Sequence, residues 1–180
     1  LAMVGIMVGL GSARDLFNLW MWFEAMAVSS YLLVAFYRER SASLEAGIKY
    51  LVQSAVGSVL VLLGVALVLG NIGTLDMDAI RSMAAATSSA RLPLLLAGAL
   101  FVIGFGVKVA FVPLHTWLPD AHSQAPSGIS AMLSGVVIEA GLIAMLRAIS
   151  TLGGFSISWG TLLLFFGALN MFFGNLLALR

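Results

Sequence analysis

Apolar stretches, most of them near the roughly 20 residues that cross a bilayer as a helix, alternate with short polar or glycine-rich breaks along the whole chain. Residues 1–10 read as the end of a span, followed by a tight connection at Gly11, Ser12, Arg14 and Asp15. Further spans are predicted at about 16–37, 48–69, 92–122, 129–149 and 159–179. Arg38, Glu39, Arg40, Ser41 and Ser43 form a polar loop, and 71–91, with Asp76, Asp78, Arg81 and a Ser-rich end, is the longest polar connection. Within the 48–69 stretch the small residues Ser54, Gly57 and Gly64 recur at helical spacing, which predicts close approach of a neighbouring helix. No alternation suggests strands, and no repeat with a period of about 20–50 residues is visible. The pattern therefore predicts an all-α, polytopic transmembrane helical bundle, with 1–180 as a single transmembrane domain.

One span is expected to be discontinuous. Beyond Phe111 the chain reads Pro113, Leu114, His115, Thr116, Trp117, Leu118, Pro119, Asp120, Ala121, His122. A proline inside a helix lacks the backbone N–H and clashes with the carbonyl four residues earlier, so Pro113 and Pro119 are expected to break the helix and free the carbonyls of Val109 and His115. Non-helical backbone at membrane depth is tolerated only where protein or internal water satisfies it. Pro93 suits the first turn of the same helix.

Composition removes the main alternatives. The 180 residues are 61% hydrophobic and 9% charged, and the mean hydropathy is +1.07, outside the usual range of soluble domains. A formal net charge of +1 and no basic tract leave nothing that points to nucleic acid. With no cysteine, disulfides, thiolate-held metals and iron–sulfur ligation are excluded, and no zinc motif is present. The chain opens and closes on apolar runs without a signal-peptide pattern, and reads as an internal stretch of a longer protein. Arg38, Arg40 and Lys49 mark one side as the cytoplasmic choice, while Arg14, Arg81, Arg91 and Arg147 fall on the other, so the basic-residue count leaves orientation nearly balanced.

The candidate chemistry lies in ionisable residues inside the apolar spans. A charge at a helix centre costs roughly 2.5–3.5 kcal/mol, while each Leu, Ile, Phe or Val returns about 0.3–0.6. Glu24, within Trp22-Phe23-Glu24-Ala25-Met26, has no basic residue within a helical turn. It must find a partner on another helix, reach water or stay protonated; it is either a structural hydrogen bond or interhelical salt bridge, or part of an ion or proton path. Lys108 follows Gly104 and Gly106 and stands five residues before Pro113, beside the expected break, where freed carbonyls can hold water. A desolvated lysine there suits a proton relay better than snorkelling to the interface, because apolar residues continue on both sides.

Lys108, His115 and His122 are spaced by seven, which in an unbroken helix stacks them at intervals of about 10 Å. The break spoils that alignment, and hopping between the three needs water. Histidine titrates near neutrality and makes His115 the natural second station; His122, beside Asp120 and Ser123, has a loop or helix-cap contact as an equal alternative. Glu139 lies near mid-span without a local counter-charge, with Lys108 as a possible partner, in either a fixed pair or one that opens and closes. Lys49, beside Tyr50, reaches either the interface or the interior, and Glu45 one turn earlier is a surface partner.

Those residues resemble a known family: the antiporter-like membrane subunits of respiratory complex I, shared with Mrp-type cation/proton antiporters and membrane-bound hydrogenases. The resemblance covers essentially the whole chain. Its most specific part runs from Gly106-Val107-Lys108 to Pro113, through His115-Thr116-Trp117-Leu118-Pro119-Asp120-Ala121-His122, to Ala125-Pro126 and Ser130-Ala131-Met132-Leu133-Ser134-Gly135. Phe23-Glu24 followed by Ser29-Ser30-Tyr31-Leu32-Leu33 looks like the family's helix with its essential glutamate. By resemblance, Glu24 and Lys108 form a charge pair whose state controls proton movement, the prolines mark the discontinuous helix, and His115 lies on the path towards the next helix.

Where many relatives carry a lysine in the helix after the break, this chain has Glu139, which makes coupling to Lys108 attractive instead of repulsive. The usual fold is an inverted repeat with a second broken helix, so the chain is expected to be a fragment of it. The resemblance implies an integral, multi-pass protein of a bacterial or archaeal cell membrane that translocates protons beside other membrane subunits. Redox activity, from NADH or another donor to quinone, is expected to belong to the complex, with no cofactor in this chain. A secondary Na+/H+ antiporter of Mrp type is the alternative, and a purely structural membrane subunit is a third reading.

Overall fold

A computed structural model describes residues 1–84, 91–153 and 159–179. Nine α-helices are defined among them: α1 (Ala2–Ser12), α2 (Leu16–Val34), α3 (Ser41–Ile72), α4 (Met77–Ala84), α5 (Arg91–Lys108), α6 (Trp117–Gln124), α7 (Ser127–Met132), α8 (Ile138–Thr151) and α9 (Trp159–Ala178). A π-helical stretch, Leu133–Val137, joins α7 to α8. The described residues contain no strand beyond a single antiparallel bridge between Asp15 and Asp76.

That bridge organises one end of the bundle. Leu16 N donates to Leu75 O and Met77 N to Arg14 O, both at 3.0 Å, which brings two helix starts side by side. Each start is capped by its aspartate: Asp15 Oδ1 accepts from Phe17 N and Asn18 N, and Asp76 Oδ1 accepts from Asp78 N and Ala79 N. Such caps satisfy N–H groups that have no partner within the helix. At the same end Arg147 donates to the carbonyls of Leu10, Gly11 and Ala13, closing the C-terminus of α1. Arg81 reaches Ser150 Oγ at 3.1 Å. Arg14, Arg81 and Arg147 thus share one end of the bundle, opposite the Arg38, Arg40 and Lys49 end, as the sequence predicted.

Several boundaries differ from expectation for local reasons. Gly11 and Ser12 are the last turn of α1 and not part of a loop; Ser12 Oγ donates to Gly9 O. α3 starts at Ser41, earlier than residue 48, because Ser43 and Ala46 give its first turns a buried face and Ser43 Oγ donates to Val34 O at 3.1 Å. It ends at Gly73, whose φ of 81° is the left-handed conformation that glycine adopts without cost. The polar connection after Ile72 contains α4; its Ser-rich end lies outside the described residues, as does the Arg91 side chain.

The α3–α5 contact is set by glycine. A Cβ on Gly57 would lie 2.7 Å from Gly104 O, and one on Gly104 would lie 2.6 Å from Gly57 O. Gly64 makes room for the Phe101 ring in the same way. The small-residue stripe read in the sequence therefore packs one helix against another, as expected.

The outer surface is apolar, unlike that of a soluble domain, and a few polar side chains lie within the largely apolar interior. Val52, Val56, Val59 and Leu63 of α3 are exposed, while Ser30, Ser54, Ser58, Lys108 and Thr151 are buried. Among the described residues three helical passages are long and apolar enough to cross a membrane: Ser41–Ile72, Ser127–Thr151 and Trp159–Ala178. The apolar helices Ala2–Ser12 and Leu92–Lys108 are shorter. The chain is an integral, multi-pass membrane protein with an all-α fold and interrupted helices. α9 is the most outlying helix, held by Phe166 stacked on Phe111 at 5.0 Å and by Asn170 Oδ1, which accepts from Val112 N at 2.8 Å.

Candidate functional site

The predicted break lies between α5 and α6. Ala110 has φ 58° and Val112–Pro113 is a cis peptide. The backbone groups freed there are taken up from several directions: Phe111 N donates to Gly106 O, Gln53 Nε2 of α3 donates to Leu114 O at 2.7 Å, and Trp117 Nε1 donates to Val107 O at 2.7 Å. One part of the expected cause is corrected. Pro119 is the third residue of α6, where a proline costs no intrahelical bond, and His115 O is not free because it accepts from Leu118 N at 2.9 Å. Pro119 starts a helix, and Pro113 alone sits in the break. The second irregularity, the π-helical Leu133–Val137, was not legible; such stretches often mark functional positions.

Lys108 is the last residue of α5 and is only 1% exposed. The C-terminal carbonyls of a helix favour a cation. Its Nζ donates to Ser30 Oγ of α2 at 3.2 Å and to Tyr50 Oη of α3, with the Tyr50 ring centroid 4.7 Å away. Tyr50 is itself fully buried and stacks on Trp117 of α6 at 4.0 Å. Ser30 Oγ donates to Met26 O at 2.6 Å. From α8, Gly141 closes the cage: a Cβ there would lie 3.1 Å from Lys108 Cγ. α2 and α3 thus hold the amine, α8 packs against the Lys108 stem and α6 backs Tyr50.

Among the described residues no carboxylate contacts that amine. The described ion pairs are Lys49–Glu45 (2.7 Å), Lys49–Asp120 (2.9 Å) and Arg81–Asp78 (3.0 Å), all at exposed side chains. A buried ammonium carries a desolvation penalty of several kcal/mol, roughly, and here two hydroxyls, a ring face and the carbonyl end of α5 offset it. Hydroxyls both donate and accept, so the same cage accommodates the amine with or without its extra proton. An ion pair would favour the charged form alone.

The other predicted residues lie at differing distances from this centre. Glu24 is half-buried on α2 with Oε2 buried and without a hydrogen-bond partner among the described residues, and it forms no ion pair with Lys108 among them. His115 lies in the break with Nδ1 buried and likewise unpartnered. It lines a cavity of about 200 Å³ against Asn170 and Phe173 of α9, so the stack of Lys108, His115 and His122 does not form. His122 Nδ1 is 2.5 Å from Ser130 Oγ, joining α6 to α7. Lys49 makes the expected pair with Glu45 and adds Asp120. Glu139 is exposed and is not paired with Lys108. Gly141 occupies the Lys108 side of α8, and two residues turn a helix by about 200°, so Glu139 faces away.

Sequence reasoning missed Tyr50, Ser30 and Trp117. Tyr50 drew notice only as the neighbour of Lys49, yet it stands four residues before Ser54 and seven before Gly57, on the buried face of α3.

The fold and the site define the class: a multi-pass helical membrane protein with an interrupted helix and a caged lysine at the interruption. The chain belongs to the family described as NADH:quinone oxidoreductase/Mrp antiporter, transmembrane, whose model matches residues 13–180. NADH-quinone oxidoreductase subunit N of Deinococcus radiodurans is 37% identical over 166 residues, 92% of this chain and 34% of that protein. Among solved structures, a chain of the archaeal membrane-bound sulfane sulfur reductase superposes with a TM-score of 0.79 at 34% identity, covering 89% of this chain and 32% of that one. A chain of the Mrp complex from a Dietzia species superposes with a TM-score of 0.73 at 27% identity, covering 84% and 28%. The chain thus spans about a third of the length of the relatives it matches.

Proposed function

We propose that this chain is part of a proton-translocating membrane subunit in a redox-driven complex of the NADH:quinone oxidoreductase type, working beside other membrane subunits. The observation that carries the reading is Lys108, buried at a helix break and held by Tyr50 and Ser30 in a cage suited to both protonation states. In this reading Glu24 supplies the field that draws a proton towards Lys108, and release of that proton is triggered when the field changes. His115 takes the proton across the break, with its unpartnered Nδ1 as the receiving atom. Lys49 and His122 stand at one mouth of the path, and Glu139 passes charge outward from α8. Family relatives named as NADH-quinone oxidoreductase subunits support the redox coupling.

A second reading, a secondary Na+/H+ antiporter, is favoured by the likeness to the Mrp complex chain. Proton uptake into sealed vesicles holding the intact assembly, with and without an electron donor and with and without a sodium gradient, separates the two. Uptake that requires the donor is expected. Uptake driven by sodium alone would reassign the protein to the antiporters.

A further inference from the structure

Between α2 and α3 two buried polar atoms lie at the same level without protein partners. The two helices run antiparallel: Trp20 Nε1 donates to Ser58 Oγ at 3.0 Å, and further along the Tyr31 and Tyr50 rings stand 6.5 Å apart. One helical turn inward from the first contact, four residues forward on α2 and four back on α3, stand Glu24 and Ser54. Glu24 Oε2 and Ser54 Oγ are both buried and both unpartnered among the described residues, and Ser54 as a whole is 6% exposed. The serines of α2 behave differently. Ser29 Oγ donates to Ala25 O and Ser30 Oγ to Met26 O, the local bond by which a serine inside a helix satisfies itself. Ser54 leaves that bond unmade, although an unsatisfied buried hydroxyl is costly.

We propose that Glu24 and Ser54 together bind one water molecule, and that Ser54 is a positioning residue for proton passage between Glu24 and Lys108. The inference rests on the proton-translocation reading above and adds a site and a residue to it. Water supplies what both atoms lack, a donor for the carboxylate oxygen and an acceptor for the hydroxyl, and bound waters typically serve such groups. Tyr50, whose hydroxyl contacts Lys108, stands one turn from Ser54 on the same buried face; Ser54 Oγ makes no hydrogen bond to it, so the bound water carries the proton across that gap. Each oxygen in this chain releases one proton as it receives one. One proton therefore leaves the Glu24 carboxyl and one arrives on the Lys108 amine, with the hydroxyls and the water unchanged.

The test uses the intact complex in three forms, wild type, Ser54→Ala and Ser54→Thr, with Lys108→Met as the reference for a blocked pathway. A high-resolution structure of the wild type is expected to show solvent density within hydrogen-bond distance of Glu24 Oε2 and Ser54 Oγ, lost in Ser54→Ala. The carboxyl infrared band assigned with Glu24→Gln is expected to shift in Ser54→Ala and to return in Ser54→Thr. Donor-driven proton uptake per electron is expected to fall about tenfold in Ser54→Ala, which corresponds to roughly 1.4 kcal/mol. Absence of the density, a direct Ser54–Glu24 bond in its place, or unchanged uptake and an unchanged band in Ser54→Ala would each overturn the inference, while a Lys108→Met complex that still fails to pump keeps the broader reading intact. Full pumping by Lys108→Met would instead remove the broader reading.

Discussion

Replacing Tyr50 by Phe isolates the hydroxyl that holds Lys108. The ring stays, and with it the stacking on Trp117 at 4.0 Å and the cation–π contact at 4.7 Å; what goes is one of the two oxygens that accept from the amine. A hydrogen bond to a charged group contributes about 1.5–3 kcal/mol and one to a neutral group about 0.5–1.5, so losing the hydroxyl moves the balance between charged and neutral Lys108 by the difference, roughly 5- to 12-fold towards the neutral form. The loss stays below a fold stability of about 5–15 kcal/mol but is a sizeable fraction of it, so the amount of assembled complex is measured beside the uptake. The assay is donor-driven proton uptake into vesicles, normalised to electrons transferred and to the amount of assembled complex. Uptake per electron is expected to fall by a similar factor in Tyr50→Phe at equal complex content. Wild-type uptake per electron in Tyr50→Phe would refute the claim that neutral oxygens set the charge state of Lys108.

Gly57→Ala places a methyl 2.7 Å from Gly104 O and is expected to cost about 1–3 kcal/mol by forcing α3 and α5 apart, read as a lower melting temperature of the purified complex. Asn170→Ala leaves Val112 N without its acceptor and is expected to cost about 1–3 kcal/mol, with α9 protecting the break less well; faster hydrogen exchange at residues 110–116 is the readout. Glu139→Gln removes an exposed charge and is expected to leave thermal stability within about 0.5 kcal/mol of wild type while lowering proton uptake, measured in the same vesicles.

The fold was largely legible because membrane helices advertise themselves through long apolar runs, and the break through Pro113. Lys108 was legible for the same reason, since a lysine inside an apolar stretch has few innocuous explanations. Its cage was not. Tyr50 and Ser30 are ordinary in a helix, and only the antiparallel packing of α2 on α3, and the approach of α5 to α3 through Gly57 and Gly104, place them on the amine. The expected Glu24–Lys108 charge pair is not a direct ion pair among the described residues. Glu139 could not be assigned a direction in advance, because the π-helical Leu133–Val137 shifts the phase of the helix just before it. Pro119 misled because a proline in the first turn of a new helix and one that ends an old helix look alike in sequence.

The most direct test of the central claim is proton uptake per electron in sealed vesicles containing the intact complex, wild type against Lys108→Met. Methionine keeps the bulk and removes the ionisable amine. Uptake that needs the electron donor in the wild type and vanishes in Lys108→Met, at equal assembly, is the predicted result. Equal uptake by the two proteins would contradict it.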